Sequence, residues 1–193
     1  IVRCPRDRCT EALALVLCEL APSQRSEIAG ELLKVSNTAG FAREPLFIAV
    51  RNGELRAAAW GQRQTGNIAV FWQPQLVPGE PQSTAILLAD AVIAALDDLK
   101  TDLIQALVSA PCLKADTLLR QVGFHHSANL LYLTCEAAEF PVAAPAPCEL
   151  EFERYAIAQR DRLIRLIERT YEGTLDCTEL DGVRNMDDVV AGY

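Results

Sequence analysis

Apolar positions recur at two different periods along this chain, and the changes between them lay out its elements. Residues 7–19 read as a first helix, built on the apolar run Ala12–Cys18 between Glu11 and Glu19. A second helix is expected from Ser23 to Ser36, with Ile28, Leu32 and Val35 on one face, Ser23 as its cap and Gly40 past its end. From Leu46 the pattern changes to short apolar runs divided by turn residues. Leu46–Arg51, Glu54–Gln62 and Ile68–Gln73 read as an antiparallel meander, joined through Asn52-Gly53 and Thr65-Gly66-Asn67. Asn-Gly is a strong hairpin signal because both residues accept positive φ.

The helical period returns at residues 83–99, where Ala85, Leu88, Val92, Ala95, Leu96 and Leu99 share a face. A short apolar strand over Asp102–Ser109 and a helix over Leu113–Val122 follow, the helix stopped by Gly123. Asn129–Cys135 reads as another strand. The stretch Phe140–Pro147, FPVAAPAP, reads as an extended, semi-rigid linker. Beyond it come a strand over Glu149–Tyr155, a helix over Gln159–Tyr171 and a short helix from Asn185. The long helix places Leu163, Leu166, Ile167 and Tyr171 on one face and pairs Asp161 with Arg165.

Composition narrows the classes. The 193 residues are 50% hydrophobic and 23% charged, which excludes a disordered or collagen-like chain. The net charge of −8 argues against a nucleic-acid binder, since such domains carry a basic patch. The charge is uneven: residues 1–148 hold net −3 and residues 149–193 hold net −5. Arg3, Arg6 and Arg8 read as solvated end charges. No apolar run approaches the ~20 residues of a spanning helix, so no membrane partner is expected. Ala12–Cys18 imitates a signal peptide but is short for one and lies between acids, and Leu17 is too large for a lipoprotein cleavage site. The chain opens on Ile1, which suggests a processed product or part of a longer one.

Seven cysteines with no C-x-x-C pair read as free thiols of a reducing cytoplasm. His125 and His126 are adjacent and would point to opposite faces of a strand, so no metal site is expected.

The order of elements resembles the GNAT superfamily of acyl-CoA-dependent N-acetyltransferases. The residues that carry the resemblance are FIAVRNGELRAAAWGQ (47–62), VPGEPQSTAILLADAV (77–92) and LLRQVGFHHSANLLYL (118–133). It covers residues 1–137. It implies an α/β (α+β) fold with a mixed, mostly antiparallel central sheet flanked by helices. It also implies acetyl transfer from acetyl-CoA to an amine, with the cofactor's pantetheine added along the edge where two strands splay apart. The pyrophosphate would sit on backbone N–H groups at the start of the following helix. By the same resemblance the cofactor-binding positions are Val77, Gln82, Ser83, Thr84 and Ala85.

The chain departs from the family pattern Q/R-x-x-G-x-G/A in that loop. The best residual match is Gln82-x-x-Ala85-x-Leu87, with neither glycine. Pro81 lacks an N–H donor, and Glu80 brings a negative charge. Ser83 and Thr84 could donate hydroxyls to a ligand or simply cap the helix. Leu119 stands where the family places the tyrosine that protonates the leaving thiolate. Tyr132 reads as a core residue. Glu54 lies where the family often places its base, and equally reads as a solvated hairpin residue.

The expected layout is therefore a GNAT-like domain over residues 1–139, a linker over 140–148, and the start of a second such unit over 149–193. The first unit is either an active acetyltransferase acting on a small-molecule amine or a degenerate, non-catalytic domain beside a catalytic second one. An unrelated small-ligand module is the third class. The strand Glu149–Tyr155 is expected to pair with the first domain's sheet edge or with another chain, a homodimer included.

Overall fold

The computed structural model describes residues 1–36, 44–108, 113–131, 133, 135–139, 153–173, 182 and 185–191. They fall into two compact units, residues 1–125 and residues 126–191.

The first unit is a five-stranded sheet in the order β1-β2-β3-β4-β5. Its strands are β1 (Val2–Arg3), β2 (Leu46–Arg51), β3 (Glu54–Gln64), β4 (Ile68–Leu76) and β5 (Leu103–Gln105). The first four pair antiparallel, and β4 pairs with β5 in parallel. The helices are α1 (Cys9–Val16), α2 (Pro22–Ser36), α3 (Gln82–Asp98) and α4 (Leu113–Gln121). The expected mixed, mostly antiparallel sheet flanked by helices is what the chain forms.

The hairpin between β2 and β3 turns on Asn52 (φ 53°) and Gly53 (φ 82°), both left-handed as a type I′ turn requires. The central strand β3 is covered on both sides, so alternation gives way to a continuous buried run, Ala57 to Gly61. Ala58 and Trp60 face Leu13, Val16 and Leu17 of the α1 side. Ala57 and Ala59 face Leu88, Val92 and Leu96 of α3. Small side chains on β3 let α3 approach closely. A Cβ on Gly61 would lie 2.7 Å from Leu96 Cδ1 and 3.0 Å from Val92 Cγ1.

Several expectations are corrected. Ser23 lies inside α2, which starts at Pro22, so Ser23 is not its cap. The strand expected over Asp102–Ser109 narrows to Leu103–Gln105. The strand expected over Asn129–Cys135 is absent among the described residues there, and Leu131 and Leu133 are 86% and 90% exposed. A strand needs a neighbour to take its backbone bonds, and apolar sequence alone does not supply one. Gly123, by contrast, ends α4 as expected, at φ 94°. Phe124 just beyond it stacks on Phe71 at 5.3 Å.

In the second unit, α5 (Arg160–Tyr171) packs on α6 (Met186–Ala191). Ile167, Val189 and Val190 are buried there against Leu163, Ile164, Tyr171 and Met186. Leu166, expected on that face, is exposed. Arg160 pairs with Asp187 at 2.6 Å and Arg162 with Glu153 at 2.9 Å. The linker stretch 140–147 and residues 149–152 lie outside the described residues, and Glu153–Tyr155 form no strand.

Candidate functional site

The strand β4 is irregular where it matters. Trp60 pairs with Trp72 and Ala58 with Gln75, so Gln73 and Pro74 together oppose the single Ala59. This is a β-bulge, and it takes the proline that a regular ladder would reject. On its other side β4 pairs with β5 only over Ile68–Val70. From Phe71 to Leu76 it has β3 on one side and no strand on the other among the described residues. Among the described residues the sheet is thus open along half of β4. The bulge supplies the physical cause, because an extra residue bends and twists its strand away from a straight neighbour.

The chain leaves this opening through a tight turn into α3. Pro78 and Gly79 (φ 83°) form its centre, and the Glu80 N–H donates to Val77 O at 3.1 Å. That is a type II turn, with proline and glycine in their preferred places. Gly79 therefore serves the turn. Pro81, in extended conformation, is the N-cap of α3, and no side chain caps the helix.

The five expected cofactor positions separate in this geometry. The Val77 N–H is taken by Arg56 O at 2.9 Å. Gln82 and Ser83 are exposed, and Ser83 is not a cap. Ala85 is fully buried in the α3 core. Thr84 alone turns to a polar cluster: its hydroxyl donates to Glu80 Oε1 at 2.7 Å.

Glu80 is the centre of that cluster. Arg51 Nη2 donates to its Oε1 at 3.0 Å and Arg56 Nε to its Oε2 at 3.3 Å. The Glu80 side chain is 2% exposed, while those of Arg51 and Arg56 are 57% and 25% exposed. A second bulge places Arg56: Val50 pairs with Leu55 and Ala49 with Ala57, which leaves Arg56 as the extra residue on β3. The Thr84 hydroxyl above all, with Arg56 and Arg51 adding to it, holds the Glu80 carboxyl below the usual carboxylate range, and burial, the second-largest influence, opposes them without prevailing. Its folded value thus lies below the unfolded value of about 4.3. The stabilisation it supplies is complete above the unfolded value and is lost as pH falls through the folded one. Glu80→Gln is expected to flatten the acid limb of stability, measured as Tm from about pH 6 to about pH 2.5. An acid limb identical to that of the parent protein contradicts this.

An anionic phosphate does not fit beside this arrangement. The loop offers no paired glycines, and the Glu80 carboxylate already takes the local side-chain donors. Glu54, the expected base position, is exposed and lies 3.8 Å from Arg56. Leu119 is buried core. Tyr132 lies outside the described residues. Sequence reasoning missed Arg51 and Arg56. Their signal was two arginines flanking an Asn-Gly turn, which a hairpin brings to one end of the sheet.

Cys4 and Cys9 are buried thiols and not nucleophiles. Burial, and then the neighbouring Cys9, pushes the Cys4 thiol up to about 12. Burial also raises Cys9. A thiol so far from ionising is a poor nucleophile. Among the described residues no three His, Cys, Asp or Glu side chains are placed to hold a metal ion. No described helix is long and apolar enough to cross a membrane.

No protein-family model matches this sequence, and no curated protein matches it. Among solved structures, the chain is similar to AAC(6')-Iy in complex with a bisubstrate analogue, CoA-S-monomethyl-acetylneamine. The identity is 13%, the TM-score 0.49, and the match covers 68% of this chain and 93% of that one. It is also similar to the apo aminoglycoside antibiotic 6'-N-acetyltransferase AAC(6')-IG from Acinetobacter haemolyticus, at 11% identity and TM-score 0.48, over 67% of this chain and 93% of that one. The site described above rests on this chain's own residues.

Proposed function

We propose that this chain belongs to an acyl-CoA-dependent N-acetyltransferase of GNAT type, which moves an acetyl group from acetyl-CoA to a small-molecule amine. The observation that carries the reading is the open edge of β4 from Phe71 to Leu76, with α3 starting just beyond its end. An extended ligand can add to such an edge as a further strand. The resemblance carried by residues 47–62, 77–92 and 118–133 supports the same reading.

A second reading is favoured by Glu80. With its carboxylate on Arg51, Arg56 and Thr84, the start of α3 suits no cofactor phosphate. In this reading residues 1–139 are a degenerate domain that completes or shapes a substrate groove. The residues from 149 onward then open a second, catalytic unit of the same kind.

A melting experiment with acetyl-CoA separates the two. Ligand at ~100 times its dissociation constant adds about 2.7 kcal/mol of stability. A rise in Tm that corresponds to this gain in stability supports the first reading. An unchanged Tm at millimolar acetyl-CoA removes this chain as the cofactor-binding unit and leaves the second.

A further inference from the structure

The Glu80 cluster has the composition of an anion site whose anion is part of the chain. Three donors from three elements converge on one carboxylate: Arg51 at the end of β2, Arg56 at the β3 bulge and Thr84 in the first turn of α3. Guanidinium groups suit carboxylate and phosphoryl oxygens alike, because both anions present pairs of acceptor oxygens at a spacing that N–H groups of the guanidinium match. The positive end of α3 adds to the same field.

The backbone that carries each donor is held by something other than Glu80. The Asn-Gly turn and its ladder pairing fix Arg51 opposite Glu54. The bulge fixes Arg56, whose carbonyl also accepts the Val77 N–H and whose Nη2 donates to Pro78 O at 3.5 Å. Thr84 is set by the α3 backbone, its N–H donating to Pro81 O at 3.0 Å. The backbone positions of all three donors are thus set without the carboxylate, and the Arg56 guanidinium keeps a second partner in Pro78 O. The exposure of Arg51 gives the cluster a path to solvent.

We propose that Arg51, Arg56 and Thr84 form a masked binding site for a phosphoryl oxyanion, which Glu80 occupies from within. The proposal extends the second reading above, in which this unit holds no cofactor phosphate. It differs from the backbone-amide loop implied by the family resemblance, since all three donors are side chains and two of them come from the β2–β3 hairpin.

The test uses the full 193-residue chain and inorganic pyrophosphate as the probe, by calorimetric titration at low ionic strength. Glu80→Ala is expected to bind pyrophosphate about tenfold or more tighter than the parent chain, as freed guanidinium groups regain a charged partner. Adding Arg56→Met to Glu80→Ala is expected to remove the gain. Glu80→Ser is a second variant with the same expectation. A cooperatively melting Glu80→Ala or Glu80→Ser protein with no gain overturns the proposal, as does a gain that survives Arg56→Met. Loss of cooperative melting in both single variants also overturns it, because the donors would then depend on Glu80 for their positions. Pyrophosphate binding is read without acetyl transfer, so an inactive protein that gains binding counts against the first functional reading alone.

Discussion

Replacing Phe71 by alanine is expected to cost about 3–5 kcal/mol of stability, the range for truncating a large buried aromatic. Phe71 is 2% exposed and is packed among Leu88, Ala89, Val92 and Leu96 of α3 and Leu119 of α4. Its ring stacks on Phe124 at 5.3 Å with 24° between planes, which adds a further contribution beyond area. Two features of the fold meet at this ring. Phe71 is the first residue of β4 past the last β5 pair, and Phe124 is the first residue past the glycine that ends α4. The truncation should therefore loosen the end of α4 as well as lower global stability. Urea unfolding followed by circular dichroism measures the first quantity, and amide exchange over residues 118–124 the second. A loss under about 1 kcal/mol would show that the site collapses freely and that the stack holds little.

The second large effect is expected at Gly61. Here an added side chain, and not a missing one, does the damage. A Cβ would sit 2.7 Å from Leu96 Cδ1 and 3.0 Å from Val92 Cγ1. Both neighbours are fully buried, so neither can swing into solvent to make room. Overpacking of this kind costs about 1–3 kcal/mol, and Gly61→Val, with two further methyl groups, belongs at or above the upper end. The strain falls between β3 and α3, the two elements that set the geometry of the β4–α3 turn. Thermal denaturation of Gly61→Ala and Gly61→Val should give a graded loss. Equal stability of all three proteins would mean that α3 moves away from the sheet without penalty.

The two effects bear on function through the same element. The helix α3 is held to the sheet by Leu88, Ala89, Val92 and Leu96, and its first turn carries Thr84. Any shift of α3 moves the Thr84 hydroxyl relative to Arg51 and Arg56. Core variants on this face are thus expected to alter the Glu80 cluster, whereas changes at Leu13 or Val16 act on the opposite face of the sheet.

How much was legible beforehand differs by element. The meander, the Asn52-Gly53 turn, the long helix with its Ala85–Leu96 stripe and the Gly123 stop could all be read, because each rests on contacts a few residues apart. The extension of β4 to Leu76 could not, since Pro74 argues against a strand until a bulge is there to take it. The segment Asn129–Cys135 had strand composition, but a strand forms only where another backbone meets it. Leu166 was placed on the buried face of α5 by spacing alone, and Ile164 took that role because α6 lies on the other side of the stripe.

The candidate site divides along the same line. Sequence by itself established that the loop after β4 lacks paired glycines and carries Glu80 and Pro81, since those are matters of residue identity. It also established the mixed sheet-and-helix class, because hydrophobic period is a local property. Only the tertiary structure decided that Glu80 turns inward onto Arg51, Arg56 and Thr84 and that the pairing of β4 with β5 ends at Val70. The reason is physical. Two bulges, at Arg56 and at Gln73-Pro74, redirect one side chain and one strand, and a bulge is a mismatch between two strands that neither strand encodes alone.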